Sequence, residues 1–217
     1  LAAGDSKRFK SAIPKPYHLI NNKTVLEHSV NAFKDIKEVK KIFVVYNNKH
    51  KKYLSKLNIK NVVKIKGGKT RQESTFKALK KISRMNCKKV LIHDVARPNI
   101  SKKIINRIIV KLQKNHAVIP VIKINDATKR FEDNFIFKNI NRSSLCYSQT
   151  PQGFNFKKIF EKHKENIKKI FDDDSSLFTY YGDNVMTVEG SKRNLKITDK
   201  VDLDILRSLK SGIMYTG

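Results

Sequence analysis

Short, almost unbroken apolar runs alternate along the chain with segments in which apolar residues recur every three or four positions. KIFVVY (Lys41–Tyr46), VVKI (Val62–Ile65), KVLIHD (Lys89–Asp94) and AVIPVI (Ala117–Ile122) are rich in β-branched residues and bounded by polar turns, the pattern of strands buried on both faces. Between them, Thr24-Val-Leu-Glu27 and Thr70-Arg-Gln-Glu73 carry the capping-box spacing, in which Thr and Glu satisfy orphan N–H groups reciprocally at a helix start. SKKIINRIIVKL (Ser101–Leu112) sets Ile104, Ile105, Ile108 and Leu112 on one helical face. This alternation predicts an α/β fold, a mostly parallel sheet covered by helices on both faces. In such sheets ligands sit beyond the carboxyl ends of the strands. Gly4–Lys15, Gly67–Ser74 and Asp94–Arg97 follow strands and are the segments expected to carry chemistry.

From about Lys123 to Gln149 the pattern changes to short alternating stretches (Phe135, Phe137, Ile140) around the turn residues Glu132-Asp133-Asn134. This reads as a β-hairpin arm leaving the main sheet. A helix over Phe156–Ile170, the acidic turn FDDDSS, a strand near Val185–Glu189, the stretch NLKIT and a last helix over Val201–Leu209 complete the order. The 217 residues suit one domain with a real core.

Charge alters this picture less than its size suggests. A net charge of +28, from 47 Lys and Arg against 19 Asp and Glu, invites nucleic acid, anionic lipid or an acidic small substrate as partner. The lysines, however, are spread over the whole chain, often in pairs on what read as solvated helix faces. Nucleic-acid readers interleave arginine forks and aromatics with their basic residues, and no such pattern stands out here. Lys, Asn and Ile are all favoured by AT-rich codons, which supplies a bland origin for the charge. No specific nucleic-acid partner is expected. Cys87 and Cys146 have neither metal-ligand nor disulfide-framework spacing and suit a reducing cytoplasm. No apolar run approaches the ~20 residues of a membrane span, so a cytoplasmic protein without a membrane partner is the expectation.

Three loops hold candidate chemistry. In LAAGDSKRFKSAIPKPY, Gly4 and its small neighbours let backbone N–H groups approach phosphate oxygens, Lys7, Arg8 and Lys15 add positive charge, and Pro14 and Pro16 stiffen the surroundings of Lys15. In GGKTRQES (Gly67–Ser74), two glycines precede a helix N-terminus, which is an anion or nucleobase site or simply a tight strand–helix turn. In HDVARP (His93–Pro98), Asp94 orients a hydroxyl or a metal–phosphate unit and Arg97 forks a phosphate, or the two form a loop-stabilising ion pair. FDDDSS reads as an acidic helix start that positions a loop rather than as a metal site.

LAAGDSKRF…PKPY, GGKTRQEST, HDVARP, Asp126–Lys129, NRSSLCYSQTPQGF, FDDDSSL and VEGSKRNLKIT occur in this order over nearly the whole chain. The series resembles the 2-C-methyl-D-erythritol 4-phosphate cytidylyltransferases. The resemblance implies a Rossmann-like nucleotidyltransferase fold, CTP and methylerythritol phosphate as substrates, Mg2+ held mainly by the phosphates rather than by protein side chains, and a homodimer formed through the arm. It places the stabilisation of the transition state on Arg8 and Lys15. Nucleotide contacts fall on Ala2, Ala3, Gly4, Gly68, Ser74 and Asp94, and contacts to the alcohol phosphate on Arg97, Arg142, Thr150 and Lys196, with Arg142 reaching a partner's site.

Some positions depart from the family pattern. Ser6 stands where a second glycine is usual, Pro16 follows Lys15 where an amide is usual, and Ala127 follows Asp126 in place of threonine. The strand that normally precedes LAAG is expected to be cut short, and SGIMYTG (Ser211–Gly217) resembles a link into a cyclodiphosphate synthase, which makes 1–210 the cytidylyltransferase domain of a bifunctional chain. The neighbouring reading, a ribitol-5-phosphate cytidylyltransferase, typically shows LAGG and DAVRP. Ala3 and Ala96 favour methylerythritol phosphate.

Overall fold

A computed structural model describes residues 1–5, 9 and 11–211. Arg8, Lys7, Ser6 and the terminal stretch beyond Ser211 lie outside the described residues. A small hairpin, β1 (Leu19–Ile20) and β2 (Lys23–Thr24), leads into α1 (Val25–Lys34). There follow β3 (Ile42–Tyr46), α2 (Lys51–Ser55), β4 (Val62–Lys66), α3 (Arg71–Ile82), β5 (Lys89–Ile92), α4 (Lys102–Lys111) and β6 (Ala117–Lys123). The arm contributes β7 (Thr128–Glu132) and β8 (Phe135–Ile140), and the chain returns through β9 (Cys146–Ser148) and β10 (Gln152–Asn155). It ends with α5 (Phe156–Glu165), α6 (Ser176–Tyr180), β11 (Met186–Glu189) and α7 (Lys200–Ser211).

The strands predicted from apolar runs are all present. β3 and β4 pair in parallel, and β5, β10, β6 and β11 form a second ladder in the order β11-β6-β10-β5. Residues 1–3 join the two ladders. Ala2 bridges Tyr46 in parallel and donates its N–H to Val45 O at 2.7 Å, while Val95 N donates to Leu1 O at 3.0 Å. Across the molecule the order is therefore β4, β3, residues 1–3, β5, β10, β6, β11. Only β10 runs against its neighbours in this series, so the sheet is mostly parallel, as expected.

Sequence reading treated QTPQGF as a motif and did not see β10. The reason lies at Gly153: a Cβ there would stand 2.6 Å from Ile108 Cγ2 and 3.1 Å from Leu91 Cδ2. Glycine lets this strand pass close beneath α4, and a Pro-Gln-Gly run hides the β pattern. Phe154, fully buried, fills the opposite side.

Side-chain alternation puts helices on both faces. Leu91 and Val118 pack with Ile104, Ile105 and Ile108 of α4, whereas their neighbours Ile92 and Ala117 pack with Leu79 of α3, Ile159 of α5 and Phe178 of α6. A third cluster joins Val25, Leu26 and Val30 of α1 to Leu203 and Leu206 of α7.

Two local expectations need correction. α5 stops at Glu165 rather than at Ile170, because buried Asn166 turns its side chain onto Lys162 O (2.8 Å) and Tyr181 Oη (2.7 Å). The capping box is complete at α1, where Glu27 N donates to Thr24 Oγ1 and Thr24 N to Glu27 Oε2. At α3 only half forms: Thr70 Oγ1 accepts from Glu73 N, but Glu73 Oε2 accepts from Lys69 N, one residue upstream of the cap.

Candidate active site

The carboxyl ends of β3, β4, β5 and residues 1–3 open into a cleft of about 720 Å3. Ala2, Ala3, Gly4, Lys15, Gly68, Ser74 and Asp94 all line it, so one concavity gathers every described residue expected at the nucleotide. Its first wall is the opening loop. Asn47, just past β3, donates to Ala3 O at 3.2 Å and to Asp5 Oδ1 at 2.7 Å, holding the loop's first turn. Pro14 caps a short 3-10 turn, Lys15–Tyr17, within which Pro16 and Tyr17 are buried. Lys15 is thereby aimed across the cleft edge, where its Nζ donates to Ile197 O at 2.7 Å.

The second wall is the glycine turn. Gly67 N donates to Tyr46 O, and Ser74 Oγ donates to Thr70 O and accepts from Gly68 N at 3.0 Å. A Cβ on Gly68 would fall 2.4 Å from Glu73 Cδ. The glycine is needed because the Glu73 side chain folds over it to reach Lys69 N.

The floor is built around Asp94, just past the tip of β5. Its backbone N–H donates to Thr150 Oγ1 at 3.1 Å, and that hydroxyl lies 3.1 Å from His93 Nδ1. The Thr150 hydroxyl then donates to Nδ1, which puts the imidazole proton on Nε2, 3.1 Å from Arg97 O. Burial pushes the His93 imidazole down to about 3, so it is neutral at physiological pH. Each carboxylate oxygen of Asp94 holds one cation: Oδ1 meets Arg71 Nε at 3.2 Å and Oδ2 meets Lys196 Nζ at 3.0 Å. Burial alone would raise the Asp94 carboxyl, but Arg71 and Lys196 outweigh it and hold the group well below the usual carboxylate range. Arg71 extends further, with Nη1 2.7 Å from Asp174 Oδ2, and Asp174 Oδ1 lies 3.0 Å from His163 Nε2.

Asp94 and Arg97 do not form the ion pair considered as an alternative for HDVARP. Arg97 instead donates Nη1 to Asn194 O at 2.8 Å and Nη2 to Ser148 O at 3.3 Å, tying the NLKIT loop and the end of β9 to the rim. Thr150 and Lys196 stand next to Asp94. Arg142 stands apart: it begins a 3-10 turn near the arm's base, is exposed, and donates to Asn125 O. Arg71, Asp174, His163 and His93 were not singled out by sequence reading as members of the floor. Arg71 was hidden inside the glycine-turn motif and Asp174 inside a turn of three aspartates. A histidine directly before the strand-tip aspartate was the one available signal for His93.

Carboxylates facing the cleft are already engaged. Asp5 accepts from Asn47, Glu73 pairs with Lys77 at 3.0 Å, and Asp94 holds two cations. Among the described residues, no group of three or more His, Cys, Asp or Glu is placed to hold a metal ion. No described helix is long and apolar enough to cross a membrane. A second cavity, about 590 Å3 and mostly apolar, lies between β3 and β5; it touches Ala2 and His93 but none of Asp94, Arg71, Asp174 and Lys196.

The family profile "IspD: 2-C-methyl-D-erythritol 4-phosphate cytidylyltransferase" matches residues 1–209. The chain is 43% identical over 215 residues to a "Bifunctional enzyme IspD/IspF" of Pelagibacter ubique, covering 99% of this chain and 57% of that relative. It is 34% identical over 214 residues to a 2-C-methyl-D-erythritol 4-phosphate cytidylyltransferase of Bacillus cereus, covering 95% of this chain and 94% of that protein. The crystal structure of a 4-diphosphocytidyl-2C-methyl-D-erythritol synthase from Anaerococcus prevotii superposes with a TM-score of 0.83 at 30% identity, over 97% of this chain and 93% of that one. The chain thus spans a little over half the length of the bifunctional relative.

Proposed function

The chain belongs to the 2-C-methyl-D-erythritol 4-phosphate cytidylyltransferase family, and from that premise we propose that it transfers CMP from CTP to 2-C-methyl-D-erythritol 4-phosphate. The observation that carries the proposal is the single cleft in which the small-residue loop, the glycine turn and Asp94 converge. A phosphomonoester oxygen of the alcohol phosphate attacks the α-phosphorus of CTP, and the bond to the bridging oxygen breaks as pyrophosphate leaves. The nucleophile is already an anion, so no strong general base is required. Negative charge builds on the α-phosphate and the leaving group, and rate enhancement comes from positioning and fixed positive charge.

Lys15, held over Ile197 O at the cleft edge, stabilises that charge, together with Arg8. Backbone N–H groups of the opening loop bind phosphate, and the glycine turn, whose own N–H groups are donated within the chain, walls the base. Asp94 orients the nucleotide, and Lys196, Arg97 and Thr150 bind the alcohol phosphate. Mg2+ would be held mainly by the phosphates of CTP and, when bound, would neutralise part of their charge. The engaged state of Asp5, Glu73 and Asp94 supports that arrangement. The arm brings Arg142 to the site of a second copy in a homodimer. Its support is the exposure of Phe131, Phe135, Ile136 and Phe137, at 73%, 76%, 65% and 55%, on a two-stranded hairpin that is marginal alone in water. The two unpaired cysteines are consistent with placing the reaction in the cytoplasm.

The test is pyrophosphate release with Mg2+, CTP and methylerythritol phosphate, with ATP and ribitol phosphate run in parallel. Release with CTP and methylerythritol phosphate alone is expected. Release with ribitol phosphate in its place moves the protein to the neighbouring activity, and silence with every pair from a folded protein rejects nucleotidyl transfer. Binding of DNA or RNA by that silent protein tighter than about 10⁻⁶ M at physiological salt, and falling steeply as salt rises, would instead favour a nucleic-acid role.

A further inference from the structure

Four side chains from four separate segments alternate in sign along the cleft floor: Asp174, Arg71, Asp94 and Lys196. Each of the two central groups is divided. Asp94 gives one oxygen to Arg71 and the other to Lys196, and the Arg71 guanidinium gives Nε to Asp94 and Nη1 to Asp174. Groups that share a partner compete for it, so a change at one end of such a ladder is felt at the other. The groups also differ in access. Asp174 is 1% exposed and backed by His163, Arg71 is 29% exposed along the cleft wall, and Lys196 is 42% exposed, so Lys196 is the more open of the two cations to an incoming anion.

We infer that Arg71 and Asp174 are positioning residues that set how firmly Asp94 holds Lys196, and through it how well the site takes up an anionic acceptor phosphate. The link to acceptor uptake rests on the proposed role of Lys196; the ladder itself does not. Without Arg71, Asp94 belongs to Lys196 alone, and the ammonium is withheld from the acceptor. Without the charge of Asp174, Arg71 turns wholly to Asp94 and Lys196 is released. Arg71 Nη2 is buried with no hydrogen-bond partner among the described residues, which leaves a donor for that second contact. The two substitutions therefore act in opposite directions, which loss of packing does not do.

The experiment compares Arg71→Met, Asp174→Asn, the double variant and Arg71→Lys in the full chain by two readouts. One is the rate at which acetic anhydride modifies Lys196, followed by peptide mass spectrometry, since a paired ammonium reacts more slowly than a free amine. The other is KM for methylerythritol phosphate against KM for CTP. Arg71→Met is expected to slow labelling and to raise the acceptor KM by about tenfold, more than it raises KM for CTP. Asp174→Asn is expected to quicken labelling and lower the acceptor KM by about two- to threefold. The double variant, which leaves no orphan buried charge, follows Arg71→Met, and Arg71→Lys recovers part of the loss. Labelling that moves the same way in both single variants, or not at all, overturns the ladder. Opposed labelling with an unchanged acceptor KM overturns its link to acceptor uptake. If the wild-type chain turns over no acceptor, the reading of function fails while the labelling still judges the ladder.

Discussion

The cleft floor and the arm, built from the same lysine-rich sequence, are held in opposite ways. On the floor each group answers to several others: Asp94 is fixed through its N–H by Thr150 and through its two oxygens by Arg71 and Lys196. On the arm, β7 and β8 pair with one another, and three phenylalanines stand in solvent. The floor is over-determined within one chain, which is what a site that works by positioning requires. The arm's exposed apolar surface is stabilised only by whatever covers it. The difference teaches where single substitutions should be felt: in chemistry and fold stability at the floor, and in association at the arm.

The largest effect expected is at the floor's edge. Lys15→Ala should lower kcat by about 100- to 1,000-fold, the usual loss of one aimed transition-state donor, with an unchanged circular dichroism spectrum. Near-normal turnover by a folded Lys15→Ala protein would falsify its assignment. The arm is addressed by pairing that variant with Arg142→Ala. If Arg142 serves the partner's site, mixed dimers contain one site with both residues intact. Co-refolding equal amounts of the two weak variants should then restore about a quarter of wild-type activity, because about half of the dimers are hybrids with one working site each. Activity no higher than the mean of the two parents places Arg142 in its own subunit's site, or in none.

Acid gives a smaller effect that also separates the regions. His93 has a folded value of about 3 against roughly 6.5 when unfolded. Its value is depressed on folding, so the unfolded state takes up the proton first. Its contribution is therefore complete above about pH 6.5 and is lost as pH falls toward 3. Asp94 and Asp174 are also held low, by Arg71 with Lys196 and by Arg71 with His163 respectively, each against the rise that burial alone would cause. Their stabilisation is present above the ordinary carboxylate range and disappears at still lower pH, so both kinds of group weaken the floor in acid. Between pH 7 and pH 4.5, urea unfolding of the wild-type chain should lose about 2 to 3 kcal/mol to His93, and His93→Gln should lose that much less. An equal loss in both proteins removes His93 as the cause.

The strands, the helix starts and the arm were legible because they depend on local period and turn chemistry: KIFVVY, Thr24 with Glu27, and Glu132-Asp133-Asn134 each carry their own signal. The nucleotide cleft was legible as loops, since glycine turns after apolar runs mark strand tips. β10 was not, because the strand's close passage beneath α4 demanded Gly153 and erased the alternation. The ion-pair ladder was not legible either. Arg71 and Asp174 are more than a hundred residues apart, and in a chain so full of lysine and arginine nothing in the sequence says which charge is buried against which. Asp94 and Arg97, three apart, looked like partners, but each turned to a distant segment.

The smallest effect expected is also the most direct comparison, because the chain contains two tight turns of matching chemistry. Asn21 and Asn22 join β1 to β2 with φ of 45° and 61°, and Asp133 and Asn134 join β7 to β8 with φ of 46° and 69°. Asparagine tolerates this left-handed region better than alanine, which meets its own carbonyl there. The two turns differ in what they carry. Fully buried Ile20 belongs to the core cluster that includes Leu206, whereas the strands beside Asp133 carry exposed Phe131 and Phe135. Asn22→Ala strains a turn that the cooperative core must keep, and should cost about 1 kcal/mol in global unfolding. Asn134→Ala strains a hairpin that can open while the core stays folded, so in dilute solution its global cost should stay below about 0.5 kcal/mol. Its effect should appear instead as faster amide exchange in β7 and β8. Equal costs for the two substitutions would mean that the arm unfolds with the core, and that the division drawn between the two regions is wrong.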